Sequence, residues 1–135
     1  MIFDILEQKI VDAGLGVAGE SLFRQFMPAE TLIGIYSREP LDGIPFDPYM
    51  PGRYRGRIQI ITRHTDPVLG KKLAQDVQKV LTVWSPEDYE PNAERGAASI
   101  SLFIPETLPI QFPRLEGDGI EWSQHFKTVF VVDEM

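Results

Sequence analysis

The chain has 135 residues, an apolar fraction of 43 % and no cysteine. That length suits a single domain over residues 1–135 with one core, and the missing cysteine excludes a disulfide framework, thiolate metal ligands and a cysteine nucleophile. A net charge of −7 argues against wrapping nucleic acid, whose affinity comes mainly from neutralised phosphates.

In chain order, residues 2–13 read as an amphipathic helix, with Ile2, Leu6, Ile10 and Ala13 on one stripe and Ile5 beside it. Gly14 and Gly16 stop it. Residues 20–27 read as a helical turn or an extended connector closed by Pro28. The β-branched run 31–36 predicts a strand. A loop over 37–56 follows, broken by prolines and glycines. Residues 57–64 predict a second strand, with Ile58 and Ile60 on one side. Asp66 and Pro67 open a helix over 67–84, where Asp can accept from free N–H groups and Pro suits the first position. Val68, Leu69, Leu73, Val77, Val80, Leu81 and Trp84 are its predicted apolar stripe. An acidic connector over 85–96 leads to a strand at 98–104, then an irregular stretch over 105–119. The final strand, 120–132, places Trp122, Gln124, Phe126, Thr128, Phe130 and Val132 on one face.

These elements predict an α+β fold of order α-β-β-α-β-β. The sheet is expected to be mixed, mainly antiparallel and four-stranded, with two helices packed on one face and the other face open for contacts. The strand–helix–strand unit from 58 to 104 can be a crossover. No run approaches the roughly 18 apolar residues of a membrane span, so no membrane partner is expected. The start, MIFDILEQKIVDAG, carries acids and no basic stretch, which does not fit a signal peptide and points to a cytoplasm as the place of synthesis.

Catalytic chemistry finds little to stand on, and no catalytic, cofactor or metal residue is assigned. His64 and His125 lie in no metal-ligand spacing and read as surface or hydrogen-bonded histidines. Glu116, Asp118 and Glu121 surround two glycines and read as a solvated turn rather than a cation site. Ser21, Ser37 and Ser99 have no nucleophile-elbow setting. The glycines of GLGVAG, residues 14–19, follow a helix rather than the strand that a dinucleotide fingerprint requires. Trp84 and Trp122 read as core anchors.

Charge is uneven along the chain. Residues 1–52 carry 3 bases and 8 acids, residues 53–72 carry 6 bases and 1 acid, and residues 73–135 carry 4 bases and 11 acids. The basic block begins with RYRGR, so Arg53, Tyr54, Arg55 and Arg57 are candidate interface residues. A nucleic-acid loop has this composition. An acidic neighbouring subunit fits the rest of the chain better, with Glu116 and Asp118 as candidate opposing residues.

Three segments resemble the bacteriophage tail terminator or minor capsid proteins of long-tailed phages. GLGVAGESLFRQFMP, residues 14–28, is similar to the family's passage from its first helix to a Leu-Phe and a Met-Pro. PYMPGRYRGRIQIITRHTDPVLGKKLAQDVQKVL, residues 48–81, resembles its central proline loop, strand and helix. EWSQHFKTVFVV, residues 121–132, looks like its last strand. The resemblance implies a non-enzymatic virion protein: a homohexameric ring that caps the tail tube, stops its polymerisation and offers a surface to a head-completion or connector protein. It also implies that phage DNA passes through the channel without specific binding. The alternatives are another head–tail connector component, such as a head-completion or tail-tube protein, or a small adaptor or enzyme.

Overall fold

The computed structural model describes residues 2–113 and 119–133. Helix α1 spans Phe3–Asp12 and buries Phe3, Ile5, Leu6 and Ile10. It ends where Gly14, at φ 73°, donates back to the Val11 carbonyl. Strands β1 (Leu22–Arg24), β2 (Gly34–Arg38) and β3 (Arg53–His64) follow. Helix α2 spans Pro67–Leu81 and is capped by Asp66, whose carboxylate accepts from the Val68 and Leu69 amides at 2.8 and 3.0 Å. Those bonds, Leu69's first, hold the Asp66 carboxyl below its ordinary range. Strands β4 (Glu87–Tyr89), β5 (Ala98–Pro105), β6 (Ile110–Pro113) and β7 (Ile120–Val132) complete the chain.

One sheet holds all seven strands in the order β1-β2-β3-β7-β5-β4, with β6 also on β7. Among the described residues, only the β1–β2 strand pair is parallel. β7 lies between β3 and β5 and antiparallel to both, so β3, α2 and β5 form a crossover unit split by the last strand. β5 and β6 share one edge of β7. Between Pro105↔Phe126 and Ile110↔Ser123, four residues stand against two.

The fold class is α+β with a mixed, mainly antiparallel sheet, but the four-stranded arrangement and the order α-β-β-α-β-β are corrected, among the described residues, to seven strands in the order α-β-β-β-α-β-β-β-β. The additions are short. β1 lies in the expected connector at 20–27, β4 in the acidic connector at 85–96, and β6 in the stretch expected to be irregular. The loop of 37–56 also shrinks, because β2 runs to Arg38 and β3 starts at Arg53.

The core lies between the helices and the sheet face carrying the even-numbered residues of β7. Phe126, Phe130, Ile58, Ile60 and Phe103 meet Leu6 and Ile10 of α1 and Val77 and Leu81 of α2 in one buried cluster. The α2 stripe differs from the expected one. Its buried residues are Gly70, Ala74, Val77 and Leu81, while Val68, Leu69 and Trp84 are exposed. At 3.6 residues per turn, Val68 points about 160° away from Gly70. Gly70 faces Trp122 so closely that a Cβ there would overlap the indole ring, and would lie 2.8 Å from His64 Cβ. Gln124 donates to the Ala74 carbonyl at 3.0 Å and ties the same turn to β7. Trp122 is therefore a core anchor, at 1 % exposure, and Trp84, at 74 %, is not.

Candidate subunit interface on the open sheet face

The sheet face away from the helices carries the odd-numbered residues of β3 and β7. Arg53, Arg55 and Arg57 stand opposite Val131, Val129 and Lys127 on this face. The strand begins early enough, at Arg53, for the three arginines to share it. Tyr54 alternates to the other side, where its ring lies 5.2 Å from that of Phe130 and packs against the core. It is thereby separated from the arginines that flank it. Arg57 pairs with Glu106 at 2.9 Å. Glu116 and Asp118 lie outside the described residues.

Arg53 and Arg55 have no ion pair among the described residues. They line a cleft of about 410 Å³ with Pro45, Phe46, Asp47 and Met50. The cleft exists because residues 39–52 fold back over the start of β3. Turns at Pro40–Gly43 and Asp47–Met50 shape this tip. Ile44 and Pro45 sit against Gly56, where a Cβ would meet both within 3.3 Å. Gly52, at φ 85°, accepts from the Val132 amide at 2.8 Å. A side chain is excluded there both by that φ and by the Val132 carbonyl, 2.8 Å from a Cβ. The tip presents Leu41 and Tyr49 to solvent, 94 % and 93 % exposed, along with Phe46 and Met50.

A second, acidic cleft of about 270 Å³ lies across β7, at the β4 side of the sheet. Asp88, Glu90 and Asp133 line it together with Tyr89, Ala97, Ala98, Ser99 and Val131. These carboxylates also have no ion pair among the described residues. The acidic run at 85–96 is visible in the sequence, but only the β4–β5–β7 pairing brings Asp133 beside it.

Elsewhere several charges are paired within the chain. Lys9 of α1 meets Glu87 of β4 at 2.5 Å, and Asp4 meets the buried Arg95 at 3.2 Å. Arg24 joins Glu94 at 2.7 Å and also Glu7. Its guanidinium is held charged above its ordinary range by the hydrogen bond to Glu94 most of all, against the cost of burial. Burial pushes the Glu87 carboxyl upward, but hydrogen bonds from Lys9 and Tyr89 outweigh it and leave the group below its usual range. The Tyr89 hydroxyl is correspondingly raised, by burial first and by Glu87 second. A larger cleft between α1 and β4, about 500 Å³, has most of its charges consumed by these pairs.

His64 accepts from the Asp66 amide at 2.9 Å, a structural bond at the start of α2. Among the described residues, no group of three or more His, Asp or Glu is placed to hold a metal ion. Among them, too, no helix is long and apolar enough to cross a membrane.

The family model described as bacteriophage tail terminator protein matches residues 9–132. The chain belongs to the bacteriophage tail terminator family. Membership makes it a structural component of a phage tail. The match takes in the whole sheet, α2, both clefts except Asp133, and the last turn of α1. No curated protein matches the chain by sequence. Within this family member, the three segments that carry the resemblance fall on the α1–β1 passage, on the tip with β3 and α2, and on β7.

Proposed function

We propose that this chain is the repeating subunit of a ring, six-membered in the expected form, that caps the phage tail tube. The ring stops tube polymerisation and offers its far surface to a head-completion or connector protein. It sits in the virion at the head–tail junction after assembly in the host cytoplasm. The family match over residues 9–132 carries the reading. Two further features support it. A closed ring needs two different surfaces on each subunit, and the open face offers a basic and an acidic cleft. A net charge of −7 suits a channel through which DNA passes without sticking. The protein works by assembly rather than by catalysis.

The test mixes purified chain with tail-tube subunits while the tubes grow, and measures tube length by negative-stain imaging. Shorter tubes ending in a ring are expected. Unchanged lengths with bare ends would sink the reading.

A further inference from the structure

We infer that the aromatic tip of residues 39–52, with Arg53 and Arg55, docks into the Asp88–Glu90–Asp133 cleft of a second copy of this chain. This inference rests on the ring reading and names the two surfaces that close the ring. Both sets of charges are among those with no ion pair among the described residues, as are Arg38, Lys71, Lys79, Lys127 and several exposed carboxylates, and these two sets each line a cleft. Arg24, Arg57, Arg63 and Arg95 all have carboxylate partners, and Arg53 and Arg55 have none among the described residues. Glu87 and Glu94 are paired, and Asp88, Glu90 and Asp133 are not, among the same residues.

The two clefts cannot satisfy each other within one chain. Arg53 is opposite Val131, Val131 opposite Ser99, and Ser99 opposite Asp88. Three strand steps of about 4.8 Å separate the first from the last, beyond the reach of a direct ion pair. The patches are different and lie on different flanks of the sheet. They form a heterologous contact, which propagates from copy to copy until it closes.

Shape and polarity agree with a protein partner. Phe46, Tyr49 and Met50 are exposed beside the arginines, and the acidic cleft is lined on the open face by Val131 and Ser99, with Ala97 beside them. Aromatic and arginine side chains meeting a cleft of small side chains rimmed by opposite charge is the composition of an interface centre. A phosphate backbone fits less well, because Asp47 shares the cleft with Arg53 and Arg55.

The experiment uses two double variants of the full chain. One carries Arg53→Glu with Arg55→Glu, the other Asp88→Arg with Glu90→Arg. Each presents two patches of like charge to its own copies, so each alone should need about tenfold or more higher concentration to assemble in analytical ultracentrifugation. In an equimolar mixture both junctions between unlike copies are complementary: the acidic tip of the first variant meets the basic cleft of the second, and the basic tip of the second meets the acidic cleft of the first. The mixture should therefore regain assembly as alternating copies. Circular dichroism checks that both variants fold. Tyr49→Ala, a change at a fully solvated ring, should weaken wild-type assembly without altering the fold. A wild type that stays monomeric, variants that assemble normally, or a folded mixture that fails to recover would each overturn the contact. Tubes added to the same samples separate this result from the capping reading. Rings that depend on this contact but leave tubes uncapped overturn capping alone, and capped tubes with unaffected variants overturn the contact alone.

Discussion

Arg63 shows how much one residue can fasten. It is 7 % exposed, donates to Glu121 at 2.9 Å, and reaches the carbonyls of Pro28 and Thr31. It thus holds the segment between β1 and β2 onto the β3–β7 pair. Arg63→Met should cost about 3–5 kcal/mol in urea unfolding, because Glu121 is left charged and two carbonyls lose a donor. Trp84 is the opposite case. Its size and position in sequence suggest the core, yet Trp84→Ala should change stability by less than about 0.5 kcal/mol, and iodide should quench its fluorescence freely. Glu87 sets a pH dependence. Its folded carboxyl sits below the ordinary value of 4.5, so its stabilisation is present above 4.5 and is lost as pH falls through the lower folded value. The melting temperature should drop across that window, and Glu87→Gln should flatten the drop.

At the scale of elements, the close seat of α2 on β7 gives the sharpest expectation. Alanine is the better helix former by about 1 kcal/mol, yet Gly70→Ala should destabilise by about 1–3 kcal/mol, because the new methyl must displace the Trp122 ring. Thermal or urea unfolding decides between the two signs. That seat also explains what the sequence conceals. The hydropathy pattern of α2 rightly includes Val77, Leu81 and the part-buried Leu73, but it also favours Leu69 and Trp84, which are exposed, and misses Gly70 and Ala74, whose smallness allows the close approach. Long elements are legible. The 13 residues of β7 repeat their alternation often enough to assign every buried position on the helix side. β1 and β4, with 3 residues each, and β6, with 4, are too short to show a period, and only pairing with a neighbour makes them strands. In the candidate interface, the three arginines share a face because β3 starts at Arg53, four residues before the strand expected from the sequence. What no local pattern conveys is that Arg57 finds Glu106, or that Asp133 joins Asp88 and Glu90.

For the whole molecule, β3 and β7 form the spine, paired without a break from Arg53↔Val131 to His64↔Ile120. Amide hydrogen exchange should be slowest along this pair and fastest in the tip of residues 39–50, whose few backbone bonds are local turns. Protection of the tip should rise on assembly, and an unchanged tip would count against its use as a contact. The spine also has a consequence for synthesis. The strand between β3 and β5, β7, leaves the ribosome after both of them. Until residues 120–132 emerge, β3 and β5 have nothing between them, and the crossover over α2 spans a gap. A chain cut short before residue 120 keeps the β1–β2–β3 and β4–β5 pairings but has no strand to join them. The strand that joins the two halves of the sheet follows both of them in the chain, so the halves stay separate until residues 120–132 have been made.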